Sequence, residues 1–374
     1  MKLIKKKYSM LRLLYLCFIG IFIFQQTSAQ LIGDNSNGSV KSDKIIAFTD
    51  VNVIPMDKER VLLHQTVIIK DRKIAQMGDA KKVKIPSGAV RINATGKYLI
   101  PGLGDMHTHI QPFNQDTAKA ALLLHASYGV TTIRNVDYLP KGAFGGFAKL
   151  DGPAILNIRS LANNGKIVSP RIYTSGPWYG TNKGEGEGIP TTGVYQRVKA
   201  LKDAGFDFLK VHDESQVSFD SVIAACHSLN FPFMGHAIEN MKMDKTLNSG
   251  YRSIEHLTGY LAQLFEVDGE LKTRDTTGLI AKMAKATATA KSKIWNCPTY
   301  TLYMYDGKKP SPVILKRSEM QYLTDSTFAR WERWFNAPES TEPGLIKNPE
   351  RIVRFRKLMV KALYDAGAPL LSGT

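Results

Sequence analysis

The chain has 374 residues, of which 43% are hydrophobic and 22% charged, which is typical of a globular protein and leaves room for one large barrel or two domains. Its formal net charge is +17, but the basic residues are scattered and form no run interleaved with aromatic residues, which argues against nucleic-acid binding and for a solvated lysine-rich surface. Its three cysteines, Cys17, Cys226 and Cys297, are too few and too far apart in sequence for a disulfide-based fold.

The first 29 residues have the features of an export signal. Basic residues precede an apolar run over residues 13–24, and small residues just before Gln30 offer a cleavage site. The apolar run is too short to span a bilayer comfortably. Cys17 lacks the preceding small residues of a lipoprotein signal, so lipidation is disfavoured. We therefore expect a signal peptide over 1–29, cleavage near Ala29, and a periplasmic or extracellular protein without a stable membrane span.

Two different segments follow the signal. Residues 30–44 are polar and rich in Gly, Ser and Asn, which predicts a flexible leader. Residues 45–97 consist of short β-type runs separated by turn residues such as Asp71 and Arg72. This second pattern predicts a small antiparallel β module.

From residue 98 to 374, short apolar strands alternate with helical segments. The strands are predicted to begin near Tyr98, Val130, Pro170, Phe206, Phe231, Tyr251, Ile294 and Ala368. The intervening helices are predicted at 116–128, 192–204, 218–230, 241–249 and 349–365. Such units join parallel strands by right-handed crossovers, and eight of them predict an α/β fold of the (β/α)8 type. A doubly wound sheet is disfavoured because the segment GLGDMH lacks a G-x-G-x-x-G phosphate loop.

Polar residues occupy the predicted carboxyl ends of several strands. They are His107 and His109 on the first strand, Lys210 on the fourth, His236 on the fifth and His256 on the sixth. Because the carboxyl ends of barrel strands meet at one mouth, we expect these side chains to lie close together. His107 and His109 are two residues apart in a strand, so both imidazoles are expected on one face.

Lys210 lies within the apolar strand FDFLKVH, so its side chain is expected to enter the barrel interior. A buried ammonium is costly unless it is paired or chemically altered. Reaction with carbon dioxide would give a carbamate able to bridge two cations about 3.5–4 Å apart. A salt bridge between Lys210 and a barrel carboxylate is an equally simple interpretation.

These motifs together resemble a known family. Their order along the chain is similar to that of the amidohydrolase superfamily. The matching motifs are a His-x-His pair after the Pro101-Gly102 turn, a strand lysine, Gly-His-Ala, and Ile-Glu-His-Leu at successive strand ends. The closest likeness is to its imidazolonepropionase-like and Xaa-Pro dipeptidase-like branch, which has a carboxylated lysine. The resemblance covers roughly residues 45–374 and rests on five matched positions in the right order.

The resemblance implies a composite β-sandwich beside the barrel and two divalent metal ions, with zinc as the usual metal. It implies that His107 and His109 hold the buried ion, that carboxylated Lys210 bridges, and that His236 and His256 hold the exposed ion. Lys210, His236 and His256 would then be part of the catalytic centre. The implied reaction is hydrolysis of an amide or peptide C–N bond by hydroxide from metal-activated water. The most concrete substrate is a small Xaa-Pro dipeptide.

Other interpretations stay open at this point. The same site suits a hydrolase of cyclic amides, lactones or phosphoesters, and a noncatalytic barrel with a binding role is a third alternative. Trp178 and Tyr179, in a Gly-rich loop, are candidates for a pocket wall, and His212 is a candidate for substrate contact because it shares the face of Lys210. The expected partner is a small molecule or dipeptide, and a homo-oligomer is left open.

The family pattern also creates an expectation about the C-terminus. The superfamily places an aspartate, as general base, at the end of the eighth strand, whereas here the strand PLLSGT reaches Thr374 and the sequence ends. We therefore expect a chain truncated before this aspartate and before the segment that completes the β-sandwich. Weak metal binding at the buried site and little activity would follow.

Overall fold

A computed structural model of the chain describes most residues from 44 onward. The described residues are 44–110, 115–136, 152–176, 193–212, 216–238, 241–266, 270–303, 316–323, 325, 328, 329, 332 and 349–373. The predicted signal and nearly all of the predicted leader lie outside them. The chain divides into two compact units, one ending at Ile100 and one beginning at Pro101. No helix among the described residues combines the length and apolar character needed to cross a membrane.

The first unit contains one five-stranded sheet. Its strands are β1 (Ile46–Val53), β2 (Leu62–Lys70), β3 (Lys73–Asp79), β4 (Val90–Asn93) and β5 (Tyr98–Leu99). The pairs β1–β2 and β2–β3 are antiparallel, whereas β4 and β5 run parallel to β1. The prediction of a purely antiparallel module was therefore wrong. The tight turn at Asp71 and Arg72, both with positive φ, reverses the chain between β2 and β3, but the longer connections to β4 and β5 bring those strands back in the direction of β1.

The second unit alternates strands and helices. Its strands are β6 (Leu103–Thr108), β7 (Val130–Asn135), β8 (Arg171–Thr174), β9 (Leu209–Val211), β10 (Phe233–Gly235), β11 (Ser253–Glu255) and β12 (Trp295–Cys297). Its α-helices are α1 (Gln115–Ser127), α2 (Gly152–Asn163), α3 (Val194–Asp203), α4 (Gln216–Ser228), α5 (Met243–Asn248), α6 (Tyr260–Leu264), α7 (Thr276–Ala288), α8 (Tyr300–Tyr303) and α9 (Pro349–Asp365), with a 3-10 helix at Ser318–Tyr322. The strand expected from Tyr98 is two strands, because β5 belongs to the first sheet and β6 begins at Leu103.

Among the described residues of the second unit, every pairing between two of these strands is parallel, which confirms the predicted α/β class. One sheet has the order β6-β7-β8 and the other β12-β11-β10-β9. A parallel bridge between Ser175 and Phe208 continues the pairing from β8 to β9. On the other side, Leu370 forms a parallel bridge with Asn296 of β12, and the Ser372 carbonyl accepts from the Met106 N–H of β6 at 2.9 Å. The segment predicted as the eighth strand therefore lies between β12 and β6.

Helix α9 shows why the helical pattern is readable from sequence. Its buried residues Ile352, Phe355, Met359 and Leu363 recur at helical spacing, and Pro349 occupies its first position. The predicted helix 349–365 is confirmed with the same bounds. Helices α2, α6, α7 and α8 were not predicted. In α7 the buried face includes Thr287 beside apolar residues, which weakens the apolar periodicity.

Candidate metal centre

Five histidines from the carboxyl ends of the strands of the second unit lie in a row. The ring-centroid distances along this histidine row are 5.1 Å for His109–His107, 4.3 Å for His107–His256, 5.0 Å for His256–His236 and 4.2 Å for His236–His212. The structure thus brings together the four histidines predicted at strand ends. It also places His212, which the sequence offered only as a substrate contact, at the end of the row.

The first two histidines present the same nitrogen to each other. The Nε2 atoms of His107 and His109 are 3.2 Å apart, although His107 is fully buried and His109 is exposed. Two nitrogens bound to one tetrahedral zinc ion at 2.0–2.1 Å are about 3.3–3.4 Å apart. The spacing of this pair therefore fits two ligands of one cation. Strand β6 ends at Thr108, so His109 lies just beyond the strand and converges on His107 from the connection that follows.

The two buried histidines of the row carry their protons on the same nitrogen. His107 Nδ1 lies 2.5 Å from Glu255 Oε2, and a carboxylate only accepts, so this nitrogen donates. His256 Nδ1 lies 2.6 Å from the hydroxyl of Thr299, which itself donates to the Pro298 carbonyl at 2.8 Å and so accepts from the ring. In both rings the lone pair is therefore on Nε2, the nitrogen available to a metal ion.

Burial keeps both of these rings neutral. The pKa of His107 is lowered far below its ordinary value by burial and by the positive charge of Lys210. The pKa of His256 is likewise lowered by burial, with further contributions from the charges of His107 and Lys210. A neutral imidazole is the form that binds a metal ion, so burial prepares both side chains as ligands.

Lys210 lies in the middle of β9 and is only 1% exposed. Lys210 pairs in register with Met234 of β10, and Met234 is followed by Gly235 and then His236. The predicted burial of Lys210 is confirmed, whereas its position relative to the histidine row and its chemical state remain proposals.

Backbone geometry fixes the two histidines that follow β10 and β11. Gly235 has φ +137°, and a Cβ there would lie 2.1 Å from the Val211 carbonyl oxygen, so only glycine fits before His236. His256 and Leu257 have φ values of 60° and 57°, a region that non-glycine residues rarely adopt. Arg356 of α9 donates to the His256 carbonyl at 2.5 Å and helps to hold this strained turn.

Comparison with solved structures finds hydrolases of one general type. A putative prolidase from Bifidobacterium longum is 19% identical with a TM-score of 0.59, covering 89% of this chain and 74% of that one. A Xaa-Pro dipeptidase with bound methionine is 15% identical with a TM-score of 0.57, covering 88% and 79%. Bottromycin amidohydrolase is 19% identical with a TM-score of 0.59, covering 88% and 68%. The chain has the fold of these proteins.

The sequence comparisons find no family for this chain. No protein-family model matches the chain, and no curated protein matches it in sequence. Trp178 and Tyr179, the predicted pocket wall, lie outside the described residues. The assignment of individual ligands therefore depends on the geometry of the histidine row.

Sequence reasoning missed the polar residues that support the row within this fold. Glu255 is fully buried and bonds to His107, Arg134 bonds to Glu255 at 2.8 Å, and Asp105 accepts from the His107 N–H at 3.1 Å. Cys297 lies close enough that its Sγ, a Glu255 oxygen and a His107 nitrogen are all within 4.8 Å of one another. The one available signal was the carboxylate of Glu255 in a predicted strand, because an acid that is buried in a strand needs a partner.

Proposed function

We propose that this protein is a metal-dependent hydrolase that cleaves the C–N bond of an amide or small peptide at the mouth of a (β/α)8 barrel. The observation that carries the proposal is the 3.2 Å separation of the His107 and His109 Nε2 atoms, which fits two ligands of one cation. The structural similarity to a putative prolidase, a Xaa-Pro dipeptidase and an amidohydrolase supports the reaction class.

The histidine row divides into two ligand sets in this proposal. His107 and His109 would hold one divalent ion, zinc by preference, and His256 and His236 would hold a second. Lys210, nearly fully buried, would bridge the two ions as its carbamate. This assignment is supported by the tautomers of His107 and His256, both of which leave Nε2 as the ligand atom.

Bound divalent ions would supply an acidified water as nucleophile and would polarise the scissile carbonyl. The residues of this chain supply orientation. The buried rings of His107 and His256 cannot turn without breaking their Nδ1 hydrogen bonds. His212, half-buried and packed against His236, would contact the substrate at the outer end of the row.

Metal analysis and a substrate panel test the proposal. The purified chain is expected to bind about two zinc ions, the one at His107 and His109 weakly, and to show only slow hydrolysis, with dipeptides ending in proline preferred to N-acyl amino acids, cyclic amides, lactones or phosphoesters. His107→Ala and Lys210→Ala should lose metal and activity together. His64→Asn, at an exposed histidine with φ 51° in the first unit, is the matched control and should keep both.

Two results would overturn the proposal: a full chain without affinity for divalent ions, or hydrolysis that persists in His107→Ala. Hydrolysis of lactones or phosphoesters alone would keep the metal centre and replace the substrate class. Running the same panel on a chain extended by an aspartate after Thr374 tests the expectation that such a group supplies the general base.

A further inference from the structure

A cluster of largely buried polar side chains surrounds Glu255, which bonds to His107 at the nitrogen that does not face His109. Glu255, which is fully buried, accepts at Oε2 from His107 Nδ1 at 2.5 Å. Its other oxygen, Oε1, accepts from Arg134 Nη2 at 2.8 Å and from the Ser253 hydroxyl at 2.5 Å. Both carboxylate oxygens are therefore engaged, and the proposed function gives no role to the contacts of Oε1 with Arg134 and Ser253.

Arg134 is itself anchored on three strands. Its Nη1 donates to Ser253 Oγ at 2.9 Å and its Nε donates to the Met106 carbonyl at 2.6 Å. Arg134 lies on β7, Met106 on β6, and Ser253 and Glu255 on β11. A buried ion pair is retained at a desolvation cost that only good geometry and extra hydrogen bonds offset. Here the extra bonds fix the carboxylate against the His107 ring.

We propose that Glu255 and Arg134 are positioning residues for metal binding: Arg134 orients the Glu255 carboxylate, which keeps the proton of His107 on Nδ1 and thereby presents Nε2 to the cation. The inference rests on the proposed function, because it assigns a role toward an ion held by His107. It adds an arginine and a glutamate to the set of residues on which that site depends.

The cluster allows a second interpretation, in which His107, Glu255 and Cys297 are themselves the metal ligands. Their ligand atoms lie within 4.8 Å of one another. However, the 2.5 Å between His107 Nδ1 and Glu255 Oε2 is a hydrogen-bond distance, whereas two ligands of one tetrahedral ion are separated by about 3.3 Å. Burial also raises the pKa of the Cys297 thiol, which opposes formation of a thiolate ligand.

Glu255→Gln tests the inference with almost no change in shape. If the amide nitrogen of the glutamine faces His107, it donates, so the ring must accept at Nδ1 and carry its proton on Nε2, where it blocks the metal. If the amide oxygen faces His107 instead, the amide N–H groups confront the donors of Arg134. Either way the site is impaired, and we expect zinc or cobalt affinity to fall by about 10–100-fold.

A double variant separates this mechanism from simple damage to the core. In Arg134→Met with Glu255→Gln, the opposing donor is gone and neither member of the ion pair is left charged without its partner. The glutamine can then turn its oxygen to His107 Nδ1 and donate to Ser253. We expect the double variant to bind metal more tightly than Glu255→Gln alone, which a purely structural role would not produce. Cys297→Ala is the control and should keep the affinity of the unmodified chain.

The tautomer of His107 can be read without metal, by nitrogen NMR on protein labelled at histidine. The unmodified chain should show a His107 resonance with the proton on Nδ1, assigned by its loss in His107→Ala, and Glu255→Gln should move the proton to Nε2. An unchanged tautomer and affinity in Glu255→Gln would overturn the inference while leaving the metal centre intact. Loss of metal in Cys297→Ala would establish the other ligand set. Failure of the unmodified chain to bind metal would instead overturn the proposed function.

Discussion

The inner and outer parts of the histidine row are held in different ways. His107 and His256, the inner pair, are buried, and each has its Nδ1 bonded to a side-chain oxygen of a neighbouring residue. His109 is exposed, and His236 and His212 are only half-buried at the outer part. The protein therefore fixes tautomer and orientation where solvent cannot reach. It leaves the outer rings accessible, which is the arrangement that a site open to substrate requires.

The largest effect is expected at the turn that carries His236. A Cβ in Gly235→Ala would lie 2.1 Å from the Val211 carbonyl oxygen and 2.8 Å from its nitrogen, at a φ of +137°. We expect a loss of about 3–5 kcal/mol in unfolding free energy, or failure to fold. Gly129→Ala is the control, because its φ is +79° but no atom lies within 4 Å of the added Cβ. It should cost only about 1–2 kcal/mol by denaturant titration.

At the inner part of the row, Gly373 is packed against His107. A Cβ in Gly373→Ala would lie 2.8 Å from His107 Cβ and 2.5 Å from Cys297 Sγ. We expect about 1–3 kcal/mol of destabilisation and a displaced His107 ring with weaker metal binding. Gly367→Ala, in open space at φ +77°, should leave the metal affinity unchanged. Equal metal affinity in the two variants would show that this close contact does not determine the position of His107.

A smaller effect is expected at the acceptor of His256. Thr299→Val keeps the branched shape but removes the hydroxyl that accepts from His256 Nδ1 at 2.6 Å. Because this acceptor is neutral, we expect a loss of about three- to tenfold in metal affinity, less than for Glu255→Gln. Thr299→Ser restores the hydroxyl and should restore the affinity. A larger loss than in Glu255→Gln would mean that His256, and not His107, limits binding.

The positions of the four histidines predicted at strand ends were readable from sequence, because each lies at or just beyond the end of a strand. Strand periodicity and the convergence of parallel strand ends are local and topological rules, and they place His107, His236 and His256 without knowledge of contacts. They could not place Glu255 on His107, because those residues are 148 positions apart and meet only when β6 and β11 face each other. The role of Arg134 was hidden for the same reason, since it lies 121 positions from Glu255.

The fold shows the same division. The strand order and the helix 349–365 follow from apolar periodicity, which survives in a single sequence. The parallel pairing of β4 and β5 with β1 was missed because short β-type runs do not specify their partners. Helix α7 was missed for two reasons. Its start depends on a cap by Asp275, whose side chain accepts from the Gly278 N–H at 2.9 Å, and Gly278 is a residue type that disfavours helix.

The smallest effect is a pH-dependent change in unfolding free energy at Asp105 and His125, near His107. Asp105 accepts from the His107 backbone N–H, and its carboxylate, with Oδ2 3.8 Å from His125 Nε2, raises the pKa of that histidine more than burial lowers it. Because the pKa is raised in the folded state, His125 contributes stability that is fully present below its unfolded pKa of about 6.5 and is lost as pH rises through the folded pKa. His125→Gln should therefore reduce unfolding free energy at pH 5.5 more than at pH 8.5, measured by denaturant titration with a chelator present. In an Asp105→Asn background the same substitution should lose most of this pH dependence, because the charged partner is gone and only the Ala121 carbonyl, 2.7 Å from His125 Nδ1, still raises the pKa of His125. An undiminished pH dependence there would assign the effect to a group other than Asp105.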